Sequence, residues 1–112
     1  MKIYRKSAQG DLLLIKHEGN IPAKYKEVAS KDSRHVVAHS ETGHHHWVDS
    51  SMAQLFTDPG DPMVCYLRVE GEADLTHARP YDTHKTLTLT KGTWQLRRQR
   101  EYTPQGWRRV ED

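Results

Sequence analysis

Leucine and threonine alternate through Thr86-Leu87-Thr88-Leu89-Thr90, a period of two that gives a strand one apolar face. The alternation resumes in Thr93-Trp94-Gln95-Leu96-Arg97, with Trp94 and Leu96 on one side. The intervening Lys91-Gly92 predicts a turn, so the pair reads as a β-hairpin. Met63-Val64-Cys65-Tyr66-Leu67-Arg68-Val69 predicts another strand with Cys65, Leu67 and Val69 inward. Before it, Asp58-Pro59-Gly60-Asp61-Pro62 concentrates turn residues and predicts a link to a strand over Ala53-Gln54-Leu55-Phe56-Thr57. A serine-capped helix over residues 50–56 is the competing reading, but Pro59 and the turn follow too closely to favour it.

Gly71 separates the Val64 to Val69 stretch from Glu72-Ala73-Asp74-Leu75-Thr76-His77, where Ala73, Leu75 and His77 share a face. Gly10-Asp11-Leu12-Leu13-Leu14-Ile15 suits a short buried strand, and Asn20-Ile21-Pro22 marks a break after it. Residues 23–34 are polar and lysine-rich, which predicts a surface loop with no core role. Val36-Val37-Ala38-His39 starts a strand that leads into the histidine stretch. With hardly any helical pattern and no repeat, the expectation is an all-β fold. It is a single small barrel or sandwich over residues 1–112, with about seven to nine short antiparallel strands.

Composition narrows the picture. The 112 residues are 35% hydrophobic and 29% charged, enough for one modest core. No run approaches the roughly 20 apolar residues of a membrane helix, and Met1-Lys2-Ile3-Tyr4-Arg5-Lys6 lacks the apolar stretch of a secretory signal. Cys65 is the single cysteine and forms no internal disulfide. The expected location is therefore cytoplasmic. The net charge of +2 is too small to name a partner.

The chemistry centres on Glu41-Thr42-Gly43-His44-His45-His46-Trp47. In an extended segment His44 and His46 point together while His45 points away. Imidazoles so spaced both reach one cation at about 2.0–2.1 Å. His77 ends a strand whose other inward residues are apolar, and His84 opens the strand over residues 86–90 across a loop containing Pro80. The expected metal site is His44, His46, His77 and His84, with Glu41 as a substitute ligand, outer partner or base. Against it stands the plainer reading that eight histidines in 112 residues bring some together by chance. His17, His35 and His39 read as ordinary polar residues.

The chain resembles a loosely defined family of small, uncharacterised proteins from bacteria and their phages. The stretches that carry the resemblance are Gln9-Gly10-Asp11-Leu12-Leu13-Leu14, Glu41-Thr42-Gly43-His44-His45-His46, Leu75-Thr76-His77 with His84, and Gln99-Arg100-Glu101-Tyr102-Thr103-Pro104. In that family a second histidine pair is closely spaced, whereas His77 and His84 stand further apart. The resemblance implies a common architecture and a histidine site, with no activity. Gly43-His44-His45-His46 also resembles the first motif of cupins, where a His-x-His hairpin with a later glutamate and histidine holds Fe, Mn, Ni or Zn. Here Asp49 follows in place of the glutamate, and no second cupin motif is recognisable, so the cupin likeness is an architectural analogy.

The end of the chain gathers Arg97, Arg98, Arg100, Arg108 and Arg109. Residues 97–102 are expected to extend the Trp94 strand, with Arg98 and Arg100 along the Trp94 face. The family resemblance implies a structural role, an arginine and a glutamate paired across strands with Tyr102 closing the barrel end. The other reading is single-stranded nucleic-acid contact by Arg97, Arg98, Arg100, Tyr102 and Trp107; the near-neutral chain favours the structural one. The leading expectation is a small metal-binding β-barrel accessory protein of bacterial or phage origin. It would hold a divalent Zn, Fe, Mn or Ni ion, with no reaction identified. The alternatives are a phage structural or interaction module without metal, located in the virion, and a small single-stranded nucleic-acid binder. A homo-oligomer and a phage protein partner both stay open.

Overall fold

The alternation produces strands throughout. The structure, a computed structural model, describes residues 2–9, 12–30, 33–38, 46–78, 84–98, 100–103 and 106–109, and none of these is helical. The strands are β1 (Lys2–Ile3), β2 (Lys6–Gln9), β3 (Leu12–His17), β4 (Lys26–Val28), β5 (Arg34–Ala38) and β6 (His46–Asp49). They continue with β7 (Ala53–Thr57), β8 (Val64–Ala78), β9 (His84–Arg98), β10 (Arg100–Thr103) and β11 (Gly106–Arg109). Nine of them form one sheet and β10–β11 form a second. All pairs are antiparallel except β1 on β9.

The centre of the sheet is the antiparallel pair β8–β9, each strand 15 residues long. Each changes neighbours halfway. Cys65 to Val69 of β8 pair with β7, while Leu75 to His77 pair with β6. Thr93 to Arg98 of β9 pair with β3, while Thr88 and Leu89 pair with β1. A β-bulge between Val69 and Glu72 marks the change, and bulges bend and twist a ladder at such points. Ile3, Val48, Leu75 and Leu89 from one half join Leu12, Leu14, Leu55, Leu67, Trp94 and Leu96 from the other in a single core. The sheet therefore folds over its own apolar face. It is not closed: among the described residues its path runs from β2 to β5 with no ladder joining them.

Several expectations meet the structure directly. Cys65, Leu67, Val69, Ala73, Leu75, Trp94 and Leu96 are buried, and β7 is a strand joined to β8 through the 58–62 turn. Each fully buried leucine contributes about 1.5–3 kcal/mol relative to exposure.

Other expectations are corrected. Lys91-Gly92 is a bend inside one continuous strand, because the inward positions change phase from Leu87 and Leu89 to Trp94 and Leu96. Gly92 has φ of 131°, and a Cβ there would meet the end of the Lys16 side chain. Lys16 Nζ donates to the Lys91 carbonyl and lies 4.8 Å from the Trp94 ring centroid. Trp94 Nε1 donates to the Thr90 carbonyl at 2.9 Å, so the bend is held from both sides. Gly71 likewise lies within β8 at the bulge and does not separate two strands.

Residues 23–34 are not merely a surface loop. Tyr25 is buried, its hydroxyl donates to Asp61 at 2.7 Å, and its ring meets Tyr66 edge-on at 4.8 Å. β4 then pairs with β7 through Glu27 and Phe56. The arginine-rich end also differs. β9 stops at Arg98, half-buried on the Trp94 side, and Arg100 opens the separate β10–β11 hairpin.

Candidate functional site

His46 begins β6, and alternation along His46, Trp47 and Val48 buries the first and third of these residues. The imidazole is fully buried. Its Nδ1 lies 2.9 Å from Gln9 Oε1, and Gln9 Nε2 donates to the Leu75 carbonyl at 2.9 Å. The amide is thus oriented by its other end: the nitrogen faces a carbonyl, so the oxygen faces His46. An oxygen can only accept, which makes His46 Nδ1 the protonated nitrogen and Nε2 the basic one in the neutral ring. Gln9 comes from β2, and this relay ties that edge strand to the β6–β8 half of the sheet.

His77 is the direct register partner of His46 across β6–β8. Opposed residues in an antiparallel pair have Cβ atoms about 4.5–5.5 Å apart. His84 pairs with Ala78, one position out of step with the His46–His77 pair. Glu41, His44 and His45, along with His39, lie outside the described residues. Among the described residues no three His, Cys, Asp or Glu side chains come together to hold a metal ion.

The two other described histidines are less ordinary than their sequence context implies. His35 is buried on β5, and burial lowers its pKa, against the opposing charge of Glu27. His17 sits edge-on to Tyr66 at 5.0 Å, with Nε2 3.0 Å from the Asn20 carbonyl. Cys65 is buried under Val37, its thiol donating to that carbonyl at 3.8 Å, and burial pushes its pKa up to about 12. A thiol so placed is no nucleophile at neutral pH.

Among the arginines, Arg97 is exposed on β9. The β10–β11 register sets Arg100 against Arg109, Glu101 against Arg108 and Tyr102 against Trp107. Gln9 is the member of the site that sequence reasoning misses. It lies 37 residues from His46 and 66 from Leu75 in the chain, so no local pattern marks it.

No helix among the described residues is long and apolar enough to cross a membrane. Comparison with curated proteins and with solved structures yields no match. A family match covers residues 8–99, which run from the end of β2 to just past β9 and leave the β10–β11 hairpin outside. Of the segment over residues 99–104 expected to carry a family resemblance, only Gln99 falls within it. The matched family is a domain of unknown function, DUF8820, and the chain belongs to it.

Proposed function

We propose that this protein binds a divalent metal ion through His46 and His77, with His44 as a third imidazole. The observation that carries the reading is the hold of Gln9 on His46 Nδ1. Metal-bound histidines typically donate their other ring N–H to an oxygen, which fixes the tautomer and raises ligand basicity. His77 stands opposite His46 in the β6–β8 register, and His44 precedes His46 by two positions in the chain. Imidazole donors suit Zn, Fe or Ni. His84 is the weaker fourth member because its register position is one step away, and Glu41 is the candidate outer partner.

The test is elemental analysis of protein purified without a histidine tag. Near-stoichiometric metal that is lost in His77→Ala and His44→Ala, but retained in His45→Ala, supports the reading. Metal-free protein that takes up no Zn, Fe, Mn or Ni on titration overturns it.

A second reading, single-stranded nucleic-acid binding, draws support from the hairpin register of Arg100 with Arg109 and Tyr102 with Trp107. Arginine and aromatic residues alternating with strand spacing suit phosphate contact and base stacking. Affinity for an oligonucleotide that falls steeply with salt supports it. Absence of binding at low salt removes it.

A further inference from the structure

Strand β5 ends the sheet. Among the described residues it is laddered only to β6, and the register slips at the bulge between Val36 and Ala38. It follows Ser33, whose φ of 60° lies in the left-handed region that side chains rarely adopt. The Ser33 carbonyl accepts from the Ser50 amide at 2.9 Å, which pins the strand at its start. Away from the ladder, β5 rests on the core. Val37 packs against the buried cluster and its carbonyl accepts from the Cys65 thiol at 3.8 Å. A narrow seam at this contact is also lined by Leu12, Val64, Leu96 and Arg98. One short ladder on one side and packing on the other make β5 a segment that opens before the rest of the fold.

This lightly held strand carries a buried titratable ring. His35 is 6% exposed and stands opposite the fully buried Val48. Alternation puts Arg34 and Asp49, also register partners, on the outward side, where the Arg34 guanidinium lies 4.0 Å from the Trp47 ring centroid. From β4, Glu27 favours the protonated His35 ring, but burial disfavours it more and lowers its pKa. On β6, His46 is set against Ala38 and not against His35. On β8, the Cys65 thiol is uncharged near neutrality. His35 therefore takes a proton less readily with β5 docked than with β5 released. The stabilisation from docking a neutral ring is fully present above about pH 6.5 and is lost as pH falls below it.

We propose that β5 is an acid-released flap that turns about Ser33 when His35 is protonated. The charged imidazole moves into water, Val37 leaves the seam, and Cys65 is uncovered. Only the β5–β6 ladder breaks, because β6 keeps its own pairing with β8. The β8–β9 pair stays formed, so the transition is local and precedes unfolding. None of the imidazoles assigned to the metal takes part in it.

The experiment follows backbone hydrogen exchange of the full chain by NMR between pH 7.5 and 5.0, expressed as protection factors so that the intrinsic pH dependence cancels. Protection of Val36 and Val37 is expected to fall below pH 6.5, by at most about tenfold per pH unit for one proton, while that of Leu67 and Leu87 is unchanged. In His35→Gln the fall at β5 is expected to disappear. In His17→Gln, on β3 beside Tyr66, it is expected to persist. A pyridyl disulfide, which reacts with thiols in acid, should label Cys65 faster over the same pH range in the parent and not in His35→Gln. Val37→Ala, which weakens the docking without touching the imidazole, should lower β5 protection at pH 7.5 and keep the acid fall. Protection of β5 that is flat with pH, an acid fall that survives in His35→Gln, or a parallel loss at Leu67 overturns the proposal. Unchanged β5 protection in Val37→Ala also counts against it.

Discussion

Gln9 and His46 are joined by a 2.9 Å hydrogen bond between two fully buried side chains. Neither residue is apolar, and each satisfies a polar atom of the other inside the core. Replacement of Gln9 by leucine keeps most of the volume and removes the partner of His46 Nδ1. Leaving a buried donor unsatisfied costs about 1–3 kcal/mol. The expected outcome is a lower urea midpoint for Gln9→Leu with an unchanged m-value. In the native protein, nitrogen NMR of the His46 ring should report the Nδ1–H tautomer when the ring is neutral.

Gly92 and Gly71 both lie in the long central strands, yet their substitutions should differ. Gly92 has φ of 131° and its Cβ position is taken by the Lys16 side chain, while Gly71 has nothing within 4 Å and no positive φ. Gly92→Ala is expected to cost about 1–3 kcal/mol, read as a fall in Tm of several degrees. Gly71→Ala should stay within about 0.5 kcal/mol of the parent. Equal effects at the two positions would deny the bend at Gly92.

His35 links burial to pH. Its folded pKa is lowered by burial, so the unfolded chain binds a proton more readily than the native one. The contribution of neutral His35 is fully present above the unfolded value of about 6.5 and is lost as pH falls below it. Urea unfolding at a series of pH values should show a shallower acid-side decline for His35→Gln than for the parent. An identical slope in both proteins would exclude His35 as a source of the decline.

Cys65 should resist modification while the protein is folded. Its thiol is buried and its pKa is pushed up to about 12, so almost no thiolate exists near neutrality. A thiol reagent should react slowly with native protein at pH 7.5 and fast after denaturation, with a single equivalent consumed. Rapid native labelling would place Cys65 outside the core.

Much of this architecture is legible in the alternation alone. Period two identifies residues 64–69, 86–90 and 93–97 as strands and identifies their inward residues, because a strand with one buried face has no other way to arrange its side chains. The clustered Asp, Pro and Gly at residues 58–62 likewise mark a turn whatever surrounds it. Alternation does not name partners, however. Gly92 and Gly71 look like turns in sequence, since a turn and a bulge both favour glycine. Only the tertiary structure shows both inside continuous strands, with β7 and β6 sharing one edge of β8.

The same limit applies to the site. The spacing of His44 and His46 is visible in the chain, and so is the shared apolar set that leads to His77. Tyr25 hides in a polar segment because its burial comes from Tyr66 and Asp61, which belong to other elements. The relay from Leu75 through Gln9 to His46 joins three strands far apart in sequence. By itself, the sequence determined that residues 64–69, 86–90 and 93–97 are extended and which side of each is apolar, since both depend on neighbours along the chain. The tertiary structure decided which polar residues entered the core with them, since a buried hydrogen bond depends on whatever folding brings within about 3 Å.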